Sequence, residues 1–191
     1  MPEMSPDGGR LIVFFGMIAA GKSFLAEKWA LRNQCPYYNS DVIRKELAGC
    51  ARNSRQDFAI NQGIYSPEFT KKTYAELLHR AEKGLQSADK DCVVLDGSYK
   101  NNSDRQSIVS LFSPQAAVFF IYCSCSEATI KKRLQTRAAD PLSVSDGRWE
   151  IYEQQKASFQ IPTNIDGARL LHLNTEKHID ELIKAVDSFV D

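Results

Sequence analysis

The stretch "RLIVFFGMIAAGKSFLAEKWA" (Arg10–Ala30) decides the fold. Its first part, Leu11–Gly16, is a short apolar run with β-branched and aromatic residues, as in a strand buried on both faces. From Lys22 to Asn33 the spacing of Phe24, Leu25, Trp29 and Leu31 predicts a helix. Between them lies "GMIAAGKS", two glycines enclosing four residues and followed by a lysine and a serine. That is a phosphate-binding pattern, in the strand–turn–helix context it requires. Successive N–H groups of such a turn face inward and form an anion cradle at a helix N-terminus. Gly16 and Gly21 permit backbone angles and a close approach that a side chain would obstruct. The candidate nucleotide-binding residues are therefore Gly16, Ala19, Ala20, Gly21, Lys22, Ser23 and Phe24. Lys22 is expected to reach the β- and γ-phosphates and the Ser23 hydroxyl to ligate Mg²⁺, so ATP and Mg²⁺ are the expected cofactors.

Working outward, strands and helices alternate. "CPYYNSD" reads as a second strand beginning near Pro36, "CVVLDGS" as a third, "AAVFFIYC" as a fourth and "RLLHLN" as a fifth. Ser66 and Pro67 make a helix start, and Tyr74, Leu77, Leu78, Ala81 and Leu85 follow at helical spacing. Further helices are expected over Ser103–Leu111, from about Ser126 to Arg137, and after Thr175 as cap. This rhythm implies an α/β protein with a mostly parallel five-stranded sheet covered on both faces. One polar interval, "AADPLSVSD" (residues 138–146), interrupts it and is the candidate lid.

The chain of 191 residues suits a single domain, with 24 acidic and 24 basic residues in balance. Such neutrality disfavours nucleic acid as a partner, although a local basic groove stays open to a 5′ end. The five cysteines carry no zinc or redox spacing: Cys35, Cys50 and Cys92 read as isolated, and Cys123 with Cys125 as packing. No apolar run is long enough to span a bilayer, and "MPEMSPDGGR" lacks an export-signal pattern. A reduced cytoplasmic protein with no membrane partner is expected.

Three further groups bear on chemistry. Asp41, in "YNSDVIRKEL", directly follows the second strand, and Arg44 shares its face if a helix starts at Ser40. At the C-terminal edge of an open sheet, a carboxylate can take the proton of an attacking hydroxyl, and an arginine can clamp the acceptor. The alternatives are a helix N-terminal carboxylate and a solvated charge. Asp96 ends the third strand, either as a Mg²⁺ ligand, direct or through water, or as part of an Asp-Gly turn. Arg133 and Arg137 lie four residues apart before the candidate lid, either as a phosphate-covering pair, Arg133 foremost, or as a basic surface. Tyr38, Tyr65 and Tyr99 are candidates to line the acceptor site or to serve as core.

The segments "GMIAAGKSFLA", "NSDVIRKELAG", "YAELLHRAEKGL", "CVVLDGSYKNNSDR", "IKKRLQTRAADP" and "SDGRWEIYEQQKASFQIP" occur in the order seen in small P-loop kinases, which the chain resembles from Leu11 to Pro162. Polynucleotide 5′-hydroxyl kinases, zeta toxins and chloramphenicol phosphotransferases look like more distant relatives. The resemblance implies a three-layer P-loop NTPase fold and ATP-dependent transfer to a hydroxyl-bearing substrate. It also implies Asp41 as general base, Arg44 on the acceptor side, Lys22 and Ser23 on phosphate and Mg²⁺, and Arg133 as the lid arginine. Phe24 stands where these kinases usually carry threonine, and Gly147 and Arg148 depart from the pattern before Trp149. The rival reading is a nucleotide-dependent switch acting through a partner. It lacks a guanine-reading Asn-Lys-x-Asp signature and gives Asp41 and Arg44 less purpose.

Overall fold

The computed structural model describes residues 8–51, 62–87, 91–139 and 148–191. Strand β1 (Gly9–Phe15) is central in the sheet. Around it lie β2 (Tyr37–Asn39), β3 (Cys92–Gly97), β4 (Ala116–Ser124) and β5 (Arg169–Asn174). The order is β2-β3-β1-β4-β5 and every pairing is parallel.

The β1 run is apolar without alternation because both of its faces are covered. Ile12 and Phe14 pack under α1 (Lys22–Arg32) and α7 (Ile179–Val190), against Trp29, Leu182 and Val186. Leu11, Val13 and Phe15 point the other way, toward Leu77 of α3 (Pro67–Leu85) and Ile108 and Phe112 of α4 (Asn102–Phe112). The five side chains Leu11–Phe15 are fully buried, and each such side chain contributes roughly 1.5–3 kcal/mol of transfer free energy. The Trp29 indole donates to Asp187 Oδ1 at 2.8 Å and so ties α1 to α7. Ser66 caps α3, its hydroxyl accepting from Phe69 N at 3.2 Å with Pro67 in the first turn, as its sequence predicts. The remaining helices are α2 (Ser40–Leu47), α5 (Glu127–Ala139) and α6 (Trp149–Ser158), with a short 3₁₀ turn at Gly63–Tyr65.

Two expectations are corrected. Thr175 does not cap the last helix; His178 does, its Nδ1 accepting from Asp180 N at 3.5 Å, while the Thr175 hydroxyl is committed to the first loop. Cys35 and Cys92 are not isolated thiols but a disulfide, with Cα atoms 5.4 Å apart. Tyr37 pairs with Val94 in the β2–β3 register, so the residues two positions earlier on each chain face one another. Linear spacing cannot reveal this, because 57 residues separate them. Cys123 is packed in the core, as expected, and burial pushes its thiol far above the ordinary range. Of the candidate lid, Ala138 and Ala139 close α5, and residues 140–146 lie outside the described residues. No helix among the described residues is long and apolar enough to cross a membrane.

Candidate active site

The turn after β1 has the geometry of an anion cradle. Gly16, Ala19 and Gly21 take φ of +147°, +58° and +88°, and Gly21 is the N-cap of α1. A β-carbon on Gly16 would overlap the Cys123 carbonyl of β4. On Gly21 it would come within 2.9 Å of both Arg133 Nη1 and Thr175 Oγ1. These neighbours hold the turn from outside. The Thr175 hydroxyl donates to the Ala20 carbonyl at 2.6 Å and accepts from Arg133 Nη1 at 3.1 Å. Arg133 also donates to Ala19 O at 3.2 Å and, through Nη2, to Thr175 O at 2.9 Å. On the other flank, the Gln155 side chain of α6 accepts from Ile18 N at 2.7 Å.

Thr175 is buried, so exchanging it for valine, nearly its equal in shape, isolates the hydrogen bonds. Thr175→Val is expected to cost about 1–3 kcal/mol of stability and to weaken binding of any polyphosphate at the loop, because the Ala20 carbonyl loses its donor. Urea unfolding and nucleotide calorimetry check both effects; a variant that matched the parent in each would remove Thr175 as a support of the loop.

The carboxylates come from the ends of β2 and β3. Asn39 closes β2, and its Oδ1 accepts from the backbone N–H of Asp41 at 2.9 Å and of Val42 at 3.0 Å, starting α2 at Ser40. The Nδ2 of the same side chain donates to Asp96 Oδ2 at 2.5 Å. Since β2 and β3 pair in parallel with Asn39 opposite Asp96, one amide links the helix carrying Asp41 to the strand end carrying Asp96. Tyr37 adds a second donor, its hydroxyl 2.7 Å from Asp96 Oδ2. Burial first, and the Asp96 carboxylate second, push this phenol far above its usual range, so it stays a donor.

Asp96 is fully buried, and its Oδ1 has no hydrogen-bond partner. A buried carboxylate oxygen left without a donor fits a divalent cation or a water on one. Ser23, at the start of α1, offers the hydroxyl that a Mg²⁺ site of this type takes. Among the described residues no cluster of three or more His, Cys, Asp or Glu side chains forms a dedicated metal cage. A cation held by one hydroxyl, one carboxylate and phosphate oxygens is consistent with that.

The three candidate arginines have different surroundings. Arg133, the expected phosphate arginine, has its guanidinium hydrogen-bonded to the loop carbonyls and Thr175. Arg137 lies one turn later: burial lowers its guanidinium, Asp41 raises it, Arg133 lowers it and Asp96 raises it. Arg44 is buried, donating from Nη1 to Ile64 O at 2.7 Å and Thr70 Oγ1 at 3.0 Å under the Tyr65 ring. Phe24 is mostly exposed, with Lys28 Nζ 5.0 Å from its ring centre.

Arg44 also lines a cavity of about 760 Å³ beside the loop after β3. Tyr65 and Tyr99, two of the three candidate tyrosines, line it together with Tyr74. Tyr38 does not; it packs with the core near Gly84. His172 is structural, with Nε2 3.0 Å from Pro162 O. Sequence reasoning missed Asn39, Tyr37 and Gln155 and gave Thr175 another role. Only Asn39 had a local signal, an asparagine just before a helix start.

A parallel sheet with its phosphate loop at the central strand, and acidic residues at the next two strand ends, defines the class of small P-loop kinases. Within that class, an AAA domain family model matches residues 11–162, and the chain belongs to that family. Among solved structures, a putative kinase from Chloroflexus aurantiacus superposes with a TM-score of 0.69 at 18% identity, covering 96% of this chain and 100% of that one. A sugar kinase from a Janibacter species gives 0.66 at 16%, covering 96% and 95%. An APS kinase from Mycobacterium tuberculosis, solved with AMPPNP and APS, gives 0.61 at 19%, covering 96% and 98%. At these identities the likeness is one of fold. No curated protein matches.

Proposed function

We propose that this protein is a Mg·ATP-dependent phosphotransferase that moves the γ-phosphoryl group to a hydroxyl of a small acceptor. The observation that carries the reading is the meeting of three parts at one end of the parallel strands, two of them joined by hydrogen bonds. The loop of glycines and Lys22 ends β1, Asp96 ends β3, and Asp41 opens α2 under the cap of Asn39, which also binds Asp96.

The loop amides and Lys22 bind and orient the ATP phosphates. Ser23 and Asp96 are the residues that would hold Mg²⁺, directly or through water, and the bound ion would supply charge neutralisation to the phosphates. Asp41 accepts the proton of the acceptor hydroxyl as its oxygen bonds to the γ-phosphorus. The bond from that phosphorus to the β–γ bridging oxygen breaks, and ADP leaves with the electron pair. Arg137, whose guanidinium is raised by the Asp41 and Asp96 charges, meets charge on the transferring group, and Arg133, hydrogen-bonded to Ala19 O, positions the loop. Arg44 faces the acceptor from the cavity wall. Use of ATP favours a cytoplasmic location, whereas the Cys35–Cys92 disulfide runs against a reducing one.

Coupled measurement of ADP formation across acceptors tests this reading. Stimulation of ATP consumption by at least one hydroxyl acceptor, with a phosphorylated product of matching mass, is expected. Binding of Mg·ATP with slow hydrolysis that no acceptor accelerates would favour the switch class instead.

A further inference from the structure

The cavity beside the loop after β3 is a groove to which each neighbouring helix gives one face. Pro67, Thr70, Lys71, Tyr74, Ala75 and Leu78 of α3 line one wall. Their alternating steps of three residues and one are those of a single helical stripe. Ile151, Gln154, Gln155 and Ser158 of α6 line another wall with the same spacing. The volume of about 760 Å³ lies high in the range of roughly 300–1,000 Å³ that holds drug-sized ligands.

The lining offers little to a sugar. Each hydroxyl of a buried polyol needs a hydrogen-bond partner, because leaving one unpaired costs free energy. The small hydroxyls of these walls are already engaged. Thr70 Oγ1 accepts from Arg44 Nη1 at 3.0 Å, and Ser98 Oγ lies 3.0 Å from the Tyr74 hydroxyl. Ser107 donates to Ser103 O at 2.9 Å, and Ser158 donates to Gln154 O at 3.1 Å. Asp104, the one carboxylate of the lining among the described residues, accepts from Asn101 Nδ2 at 3.0 Å. Arg44 Nε and the Tyr99 hydroxyl have no partner, but both atoms are sealed from the cavity. Lys71, Lys100 and Arg148 are exposed and keep their charges hydrated.

What the walls present instead is apolar. Tyr65, Tyr74, Leu78 and Ile151 are half-buried, and Pro67 and Ala75 are more exposed. With its hydroxyl committed to Ser98, Tyr74 offers the cavity its ring. Apolar surface gathered in one concavity is the mark of a site for an apolar ligand. One half-buried polar group is fixed among these walls. Gln155 gives Oε1 to Ile18 N of the phosphate loop at 2.7 Å, so its carboxamide NH₂ is the end left for a ligand oxygen. The same contact sets this end of the cavity against the phosphate loop.

We infer that the acceptor is an alcohol on a ring-bearing apolar body, not a sugar or other polyol, lying along α3 with its oxygen at the Gln155 end. The inference rests on assigning this cavity to the acceptor and deepens that reading.

2-Naphthaleneethanol, glucose and gluconate are the probes, titrated calorimetrically into the whole chain without nucleotide. The naphthyl alcohol is expected to bind at least about tenfold more tightly than glucose or gluconate, a margin that roughly 50–60 Å² of extra apolar burial supplies. Ala75→Trp and Ile151→Trp fill the cavity from its two walls. Each is expected to weaken the naphthyl alcohol by at least about tenfold while Mg·ATP affinity stays within about twofold of the parent. Ala75 is exposed, so its variant folds even where Ile151→Trp does not. Binding of glucose or gluconate as tight as that of the naphthyl alcohol, or naphthyl binding untouched by Ala75→Trp, would overturn the inference. Measuring ADP formation with each probe keeps the two readings apart. Naphthyl binding that the Trp variants abolish, with no transfer to any acceptor, would sink the kinase reading and leave the apolar site standing. Transfer to glucose or gluconate in preference to the naphthyl alcohol would do the reverse.

Discussion

Asparagine in place of Asp41 is expected to lower phosphoryl transfer by about a hundredfold or more, with Mg·ATP affinity within about twofold of the parent. The substitution is nearly isosteric and should leave the local fold intact. Asn39 caps the backbone N–H groups of residues 41 and 42 rather than the Asp41 side chain, so α2 starts in the same place. The exchange removes the proposed proton acceptor and one of the two carboxylates that raise the Arg137 guanidinium. Pre-steady-state transfer to an active acceptor, measured beside nucleotide calorimetry, separates chemistry from binding. Full transfer by the variant would end the base assignment. A fall in nucleotide affinity as large as the fall in rate would instead make Asp41 a support of the ATP site.

The largest structural effect is expected at Gly16. Gly16→Ala should destabilise the protein by about 3 kcal/mol or more, combining a strained backbone with overlap against a neighbour that cannot move. The new β-carbon would occupy the space of the Cys123 carbonyl. That carbonyl belongs to β4, which runs in register with β1 from Gly9 opposite Ala116 to Phe15 opposite Tyr122, so neither chain can shift alone. Gly49 is the internal control: its φ is +66°, but among the described residues nothing lies within 4 Å of a β-carbon there. Gly49→Ala should therefore show strain alone, about 1–2 kcal/mol. Urea unfolding of the two variants makes the comparison, and equal losses would mean that the overlap with β4 is relieved at little cost.

Local signals suffice wherever the cause of structure is local. The apolar run Leu11–Phe15, the glycines of the turn and the Ser66–Pro67 helix start depend on neighbouring residues, and each stands in the structure as its sequence predicts. Asp41 and Arg44 share α2 because that helix does start at Ser40. Several assignments depended on sheet order and were not legible. Cys35 meets Cys92 only because β2 lies beside β3. Thr175 supports the first loop only because β5 ends beside β4, whose Ser124 accepts from Thr175 N at 2.9 Å. Helical spacing likewise puts Arg133 and Arg137 on one face, but it does not show that Arg133 is hydrogen-bonded to the first loop and to Thr175.

By itself, then, the sequence determined a parallel α/β fold built around a phosphate loop, together with its most conspicuous acidic and basic candidates. Backbone periodicity, glycine freedom and capping act within a few residues of their source, so they can be read along the line of the chain. The tertiary structure alone decided which groups meet: Asn39 with Asp96, Thr175 with Ala20, and Tyr99 with Arg44 around one cavity. Those meetings join residues many positions apart, and strand order, not sequence distance, brings them together.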